Sequence, residues 1–325
     1  MSARGALDLA DQQLVAGVLA GGRRELARLI TMLESVLPAH RRRADAVLHS
    51  LLPHTGNGLR IGISGVPGAG KSTFIEALGM LLIAAGQKVA VLSVDPSSAV
   101  SGGSILADKT RMTRLAASER AFIRPSPSAG TLGGVAAATR EALLACEAAG
   151  YEVVLVETVG VGQSESAVSS LTDVLLVLQV PHTGDDLQAI KRGLLEIADI
   201  IAVNKCDVDA AAAERAAAQL QAARGRMVRC ISALAPTGLE ELWADVTALH
   251  RRRLESGELA VRRQQQNVKW MWDLVLAGLE ERLRTHRDAR SLLVETELAV
   301  RAARMEPRAA AKTLLDWFTR AETDE

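Results

Sequence analysis

A glycine-rich segment beginning at residue 65 has the spacing of a phosphate-binding loop. Glycines 65 and 70 bracket four residues, and Lys71 and Ser72 follow, which gives the pattern G-x-x-x-x-G-K-S. Glycine lets the backbone curl until its N–H groups face phosphate oxygens, and a following helix adds partial positive charge. We expect Lys71 to reach the β- and γ-phosphates and Ser72 to ligate Mg²⁺. The residues predicted to surround the phosphates are Gly65, Val66, Pro67, Gly68, Ala69, Gly70, Lys71, Ser72 and Thr73.

A second motif, Asn204-Lys205-Cys206-Asp207, fits the pattern N-K-x-D and predicts selection of guanine. Guanine presents N1–H and N2–H₂ donors on one edge, and the carboxylate of Asp207 can accept both. Adenine lacks this pair of donors, so a desolvated carboxylate would be left unpaired. The Lys205 stem can cover the base, and Asn204 can brace the loop. The candidates to give guanine O6 a backbone N–H are Ser232, Ala233 and Leu234.

Three carboxylates at or near predicted strand ends are candidate ligands for Mg²⁺, which prefers oxygen and keeps several waters. Asp95 ends the second predicted strand, Glu157 ends the fourth, and Asp108 lies in a glycine-containing segment between them. A helix cap or a solvated loop residue is the alternative for each, and it suits Asp108 better than Glu157. The Gly160 N–H is a candidate γ-phosphate sensor. We therefore assign Lys71, Glu157 and Gly160 to catalysis.

The sequence offers no clear group to position the attacking water. Gln163 is close to Gly160, but its spacing does not match the common placement of such a glutamine. Arg111 and Arg114 could act as internal arginine fingers, although surface charge on a helix is the preferred interpretation. We therefore expect slow hydrolysis by the chain alone.

The elements that must position these motifs alternate along residues 59–250. Predicted strands cover 59–64, 89–94, 121–124, 153–157, 174–180, 200–204 and 228–231, and predicted helices include 71–85, 134–149 and 186–198. Continuous apolar runs are typical of parallel strands covered on both faces. This predicts an α/β fold with a doubly wound, mostly parallel sheet, in which ligands bind beyond the carboxyl ends of the strands. This context favours ligand binding by the glycine-rich segment and by the N-K-x-D motif, rather than an incidental glycine turn and a polar loop.

Helical patterns flank this core on both sides. Residues 1–56 form a predicted N-terminal helical extension, residues 57–250 the P-loop domain, and residues 251–325 a C-terminal helical segment without strand signals. The last segment contains three of the four Trp residues. It could cap the core or form a dimerisation arm, and composition leaves both open.

Composition argues against several classes of function. Lys and Arg number 38 and Asp and Glu number 38, so the formal net charge is zero, and aromatic residues make up 2%. A nucleic-acid binder normally shows a basic excess and aromatic platforms. Three widely spaced cysteines fit a reducing compartment better than a disulfide framework or a zinc site. No apolar run is long enough to cross a bilayer, so we expect a cytoplasmic protein without a membrane partner.

Several further segments, taken together, resemble the MeaB family of P-loop GTPases. These segments are 95–98, 102–112, 124–128, 130–134, 157–165, 184–191 and 264–272. The family includes the methylmalonic aciduria type A protein and sequences once named arginine-transport ATPases. The resemblance covers nearly the whole chain and is more specific than the phosphate loop alone.

The resemblance implies a GTP-hydrolysing chaperone that gates adenosylcobalamin loading of methylmalonyl-CoA mutase and protects that enzyme. It implies GTP or GDP bound with Mg²⁺, and a homodimer built through the C-terminal helices. Switch segments would map to 95–108, 157–165 and 180–191, with Asp185 and Lys191 as candidates for coupling to the mutase. Two departures from the family pattern are Ala107, where glycine is expected, and the turn at 181–184, where His182 is interpreted as a solvated loop residue.

Three alternatives stay open at this point. They are a GTPase chaperone for a different acyl-CoA mutase, a metal-insertion GTPase, and a transport-linked ATPase or kinase. Metal insertion requires a His- or Cys-rich tract, and six His with no paired Cys disfavour it. Guanine selectivity through Asp207 would separate a GTPase from an ATPase.

Overall fold

The computed structural model of the protein describes residues 7–35, 37–95, 112–127, 134–158, 164–181, 192–225 and 227–321. Seven strands form one sheet in the order β3-β2-β4-β1-β5-β6-β7, and every paired strand is parallel to its neighbour. The strands are β1 Leu59–Gly65, β2 Val89–Asp95, β3 Ala121–Pro127, β4 Val153–Thr158, β5 Val174–Gln179, β6 Ile200–Val203 and β7 Met227–Cys230. The predicted doubly wound α/β fold is confirmed.

Helices connect the strands, and further helices precede the first strand and follow the last one along the chain. Those before β1 are α1 Leu9–Leu19, α2 Arg23–Leu33 and α3 Pro38–Leu51, followed by the 3₁₀ turn Leu52–His54. Those between strands are α4 Lys71–Ala84, α5 Thr113–Ala117, α6 Gly134–Ala148, α7 Ser164–Ser169, α8 Arg192–Ile197 and α9 Ala210–Arg224. Those after β7 are α10 Leu239–Glu255, α11 Glu258–Thr285, α12 Arg287–Arg301 and α13 Pro307–Ala321.

Both faces of the sheet are buried, which is why its strands read as continuous apolar runs. Val154 and Val156 of β4 face a core that contains Leu143 of α6 and side chains of the three N-terminal helices. Leu155, between them, faces a second core that contains Phe74 of α4. Side chains at the carboxyl ends of the strands therefore divide between these two faces according to the same alternation.

The chain divides into two compact units, Met1–Asn267 and Val268–Glu325. The first contains the sheet and the N-terminal helices. In the second, the rings of His286 and Trp317 pack edge to face with their centroids 4.9 Å apart. The three-part division at 56/57 and 250/251 stays a prediction. Among the helices of the described ranges, none combines the length and apolar composition that a membrane crossing requires.

Candidate nucleotide-binding site

The phosphate loop joins the carboxyl end of β1 to the amino end of α4, and glycine is required at its sharpest points. Gly68 and Gly70 have φ values of 79° and 85°, in the left-handed region that favours glycine. A Cβ on Gly65 would lie 2.4 Å from the carbonyl oxygen of Leu178, so a larger residue would displace β5. Gly70 is the N-cap of α4 and provides no side-chain cap. The first N–H groups of α4 therefore form a natural site for an anion.

Lys71, the first residue of α4, folds back over this loop. Its ammonium donates to the carbonyl oxygens of Gly65 at 3.0 Å and Val66 at 3.3 Å. A phosphate oxygen that replaced one of these carbonyls would accept a stronger hydrogen bond, because both partners would be charged. The ammonium thus lies beside the loop where the β- and γ-phosphates are predicted to bind.

Ser72 and Glu157 bring two oxygens together next to the loop. The Ser72 hydroxyl donates to Glu157 Oε1 at 3.2 Å, and Glu157 is buried at the end of β4. Neighbouring ligands around one Mg²⁺ lie about 2.9 Å apart when each bond is about 2.0–2.1 Å. The two oxygens therefore fit a shared ion, either directly or with Glu157 acting through a bound water. Across the described ranges, no group of three or more His, Cys, Asp and Glu residues is placed to hold a metal.

Asn204 connects the base-reading motif to the phosphate loop. It follows β6 directly, is buried, and donates from Nδ2 to the Ala69 carbonyl oxygen at 2.8 Å. Its other side-chain atom, Oδ1, accepts from the Ala233 N–H at 3.0 Å. A Cβ on Gly70 would lie 2.7 Å from Asn204 Nδ2, so the loop glycine also makes room for this contact. One amide therefore holds together three loops at the carboxyl edge of the sheet.

Asp207 is exposed at the carboxyl edge and is oriented by the loop after β7. Its Oδ1 accepts from the Ser232 hydroxyl at 2.5 Å. The preceding Lys205 has a φ of 66°, an uncommon conformation for a residue with a side chain, which places it within this tight turn. An exposed carboxylate held in one orientation can accept hydrogen bonds from both donors of a guanine edge. The bound base would then shield the carboxylate from solvent.

Backbone hydrogen bonds in the loop after β7 leave one of the three predicted residues as the candidate donor to guanine O6. The Ser232 N–H donates to the Thr237 carbonyl oxygen at 3.1 Å, and the Ala233 N–H is engaged by Asn204. Leu234, which is 79% exposed, is then the candidate among the three predicted residues. Sequence reasoning could not separate them, because the difference lies in backbone hydrogen bonds formed only in the folded loop.

Cys206 lies inside the base-reading motif but is not a reactive thiol. Its Sγ donates to the Val203 carbonyl oxygen at 3.1 Å. Burial, together with the neighbouring Cys230, raises the pKa of Cys206 to about 12. Since the thiolate is the nucleophilic form, Cys206 stays protonated near neutral pH and packs as a small apolar residue.

Several predicted residues lie outside the described part of the chain, and their roles stay predictions. They are Asp108, Gly160, Asp185 and Lys191, together with Ala107, Arg111, Gln163 and His182. The backbone of Asp95 ends β2 as predicted, but its side chain is not described. Arg114 is exposed on α5, which agrees with its interpretation as surface charge.

Comparison with known proteins connects this site to one family. The family described as "Methylmalonyl Co-A mutase-associated GTPase MeaB" matches residues 26–288, which include both motifs. A probable GTPase of Mycobacterium tuberculosis is 48% identical over 315 residues, covering 93% of this chain and 94% of that protein. GTPase ArgK of Escherichia coli is 45% identical over 310 residues, covering 92% of this chain and 93% of that protein.

Two further similarities extend over nearly the whole chain. The mitochondrial methylmalonic aciduria type A homolog of Mus musculus is 42% identical over 328 residues, covering 94% of this chain and 79% of that protein. The crystal structure of a protein named LAO/AO transport system kinase superposes with a TM-score of 0.75 at 36% identity. That superposition covers 96% of this chain and 98% of the other.

Proposed function

This chain belongs to the MeaB family of GTPases, and we propose that its GTP cycle gates adenosylcobalamin loading of methylmalonyl-CoA mutase and protects that enzyme from inactivation. The GTPase fold and its named GTPase relatives make the chain an enzyme that converts GTP and water into GDP and phosphate. The description of the family, which associates it with this mutase, supports the choice of partner.

The hydrogen bond between Asn204 and Ala69 carries the proposal that one guanine nucleotide spans the two motifs. This contact, made by the protein alone, sets the separation of the base-reading loop and the phosphate loop. Preorganisation of this kind reduces the ordering cost that binding would otherwise include. Asp207 and the Leu234 N–H would contact the base, while the phosphates would lie against the loop N–H groups and Lys71.

Hydrolysis requires that the γ-phosphate be held while negative charge spreads over its oxygens. The ammonium of Lys71 and the amino-terminal N–H groups of α4 would donate to those oxygens. The hydroxyl of Ser72 and the carboxylate of Glu157 would hold Mg²⁺, which would supply positive charge to balance the negative charge of the phosphate oxygens. Slow turnover by the chain alone, with stimulation by the mutase, is part of the proposal.

The test measures phosphate release from GTP with and without purified methylmalonyl-CoA mutase. We expect the rate to rise several-fold with the mutase, and a complex to form on gel filtration in the presence of a GTP analogue. Lys71→Ala should abolish hydrolysis in both conditions. Lys88→Ala, one residue before the amino end of β2 and thus at the opposite edge of the sheet, is the matched control and should behave as wild type.

The outcomes separate the possible partners. An unchanged rate without complex formation contradicts a chaperone of this mutase, and the same assay with other adenosylcobalamin-dependent acyl-CoA mutases tests a related partner. Transfer of adenosylcobalamin to the apo-mutase should differ between GTP and a non-hydrolysable analogue. Transfer that is independent of the nucleotide would contradict gating while leaving the GTPase assignment intact.

The proposal also includes a homodimer formed through the C-terminal unit. From Val268 onward, α11 exposes a stripe of apolar side chains. They recur three or four residues apart and therefore lie along one side of the helix. These residues are Val268, Met271, Trp272, Val275, Leu276 and Leu279, each between 41% and 62% exposed. Such a stripe fits a second copy of the same helix, because an interface with two-fold symmetry must match itself.

Light scattering coupled to gel filtration tests this dimer. Leu276→Lys places a charge in the stripe and should shift the protein to the mass of a monomer while GDP binding is kept. Glu281→Lys introduces the same residue at an exposed position on another side of α11 and should leave the mass unchanged. A monomeric wild-type protein, or a dimer unaffected by Leu276→Lys, would contradict the assignment of this stripe.

A further inference from the structure

Ser93, near the carboxyl end of β2, carries a buried hydroxyl without a hydrogen-bond partner. It is 1% exposed, and its Oγ has neither donor nor acceptor within reach in the described part of the chain. A buried hydroxyl left unpaired is unfavourable, and such groups in native proteins call for a functional or structural reason. Alanine at this position would avoid the cost with little change in volume.

The sheet register places Ser93 directly beside Glu157. Their Cα atoms are paired across β2 and β4, and neighbouring strands lie about 4.8 Å apart. Two residues earlier, the paired Val91 and Leu155 both face the core on the α4 side. Because side chains alternate along a strand, Ser93 and Glu157 also face the α4 side, where Ser72 contacts Glu157.

The flanking residues in the same row of the sheet are apolar. Pro125 of β3 lies opposite Ser93 on one side, and Ile63 of β1 lies opposite Glu157 on the other. Neither side chain can accept a hydrogen bond. Ser93 and Glu157 are therefore the two polar side chains in this row of four strands, with an apolar residue on either side.

We propose that Ser93 is a positioning residue of the magnesium site, whose hydroxyl donates a hydrogen bond to the Glu157 carboxylate when Mg²⁺ and nucleotide bind. A rotation of the Ser93 hydroxyl supplies a charge-assisted hydrogen bond at the moment when Glu157 turns toward the ion. Hydrogen bonds to ligating carboxylates fix their orientation and raise metal affinity. The hydrogen bond to Glu157 would then offset the cost of burying the unpaired Ser93 hydroxyl.

This inference rests on the proposed GTP site but not on the mutase. The test titrates Mg²⁺ against a fluorescent GDP analogue for wild type, Ser93→Ala and Ser93→Cys, and measures thermal unfolding in EDTA. We expect both variants to need about tenfold more Mg²⁺ for half-maximal affinity. Analogue affinity in EDTA should be unchanged, and the Tm of Ser93→Ala in EDTA should be equal or higher. Ser93→Cys keeps the side-chain shape, with a slightly larger atom, while weakening the donor.

Ser64→Ala is the matched control, since it removes a buried hydroxyl on the other face of the sheet that does have a partner. The Ser64 hydroxyl accepts from Thr158 Oγ1 at 3.0 Å, so its loss should lower Tm without a shift in Mg²⁺ dependence. An unshifted Mg²⁺ midpoint for Ser93→Ala overturns the inference, as does an equal loss of affinity in EDTA. Absence of any Mg²⁺ dependence in wild type would instead contradict the proposed metal site itself.

Discussion

Arg263 in α11 forms a two-pronged ion pair with Asp173, at 2.8 Å from Nε to Oδ1 and 2.6 Å from Nη2 to Oδ2. Asp173 precedes β5 and is fully buried. Arg263 also donates to the carbonyl oxygens of Gly56 and Gly58, just before β1. One arginine thus connects the start of α11 to the amino edge of the sheet, opposite to the phosphate loop.

The first prediction is that Arg263→Ala strongly destabilises the protein. It leaves Asp173 as a buried carboxylate without its cation, and breaking a buried pair in this way costs roughly 3–5 kcal/mol. Urea unfolding measures the loss. Arg284→Ala is the control, because its i,i+4 pair with Glu280 is exposed and worth roughly 0.3–0.5 kcal/mol. If the two substitutions lowered the free energy of unfolding equally, the burial of Asp173 would not determine the strength of its ion pair.

The second prediction concerns His250 in α10, which lies near the same charges. Burial lowers the pKa of His250 from its ordinary 6.5, Asp173 opposes this, and Arg263 and Arg253 lower it further. Because the unfolded chain then takes up the proton first, the free energy of unfolding falls as pH drops from 6.5 toward the folded-state pKa. Well above pH 6.5, His250 is neutral in both states, so its contribution to the free energy of unfolding does not vary with pH.

Unfolding titrations at pH 7.5 and 5.5 test this sign for wild type and His250→Gln. The wild type should lose more stability on acidification than the variant, because glutamine has no proton to take up. Parallel losses in the two proteins would contradict a lowered His250 pKa. A smaller loss of stability in wild type than in His250→Gln would show that folding raises the pKa of His250 instead of lowering it.

The third prediction is that Asn204→Asp weakens nucleotide binding. A carboxylate oxygen would replace the Nδ2 donor and face the Ala69 carbonyl oxygen, so an attraction across 2.8 Å becomes a repulsion. We expect GDP affinity to fall about tenfold or more, from a cost of about 1–3 kcal/mol for the lost partner. Asn57→Asp, at an exposed turn before β1, makes the same chemical change and should leave GDP affinity within twofold of wild type, an effect of about 0.4 kcal/mol or less.

The sequence predicted the strands well because parallel strands buried on both faces must be apolar along their length. The predicted 59–64 and 174–180 correspond to Leu59–Gly65 and Val174–Gln179. The largest difference is in β3, which continues to Pro127 rather than ending at residue 124. Proline is tolerated there because β3 is an edge strand, where a missing N–H disturbs fewer ladder bonds.

The site was predictable as a set of motifs but not as a set of contacts. The phosphate loop and base motif follow from residue type and spacing, whereas Asn204 and Ala69 are 135 residues apart in the chain. Likewise, Ser93 gives no signal in the sequence, because its isolation beside Glu157 depends on the order and register of four strands. Such relationships arise from tertiary packing, which local patterns do not encode.

The most direct test of the guanine site is a calorimetric titration of GDP, XDP and ADP with Mg²⁺ into wild type, Asp207→Asn and Asp209→Asn. Wild type should bind GDP and reject ADP, and Asp207→Asn should shift preference from GDP to XDP, because its amide can donate to the xanthine C2 oxygen. Asp209 caps α9 by accepting from the Ala212 N–H at 2.9 Å, and asparagine caps equally well, so Asp209→Asn should match wild type. Comparable affinities of wild type for GDP and ADP would contradict the account.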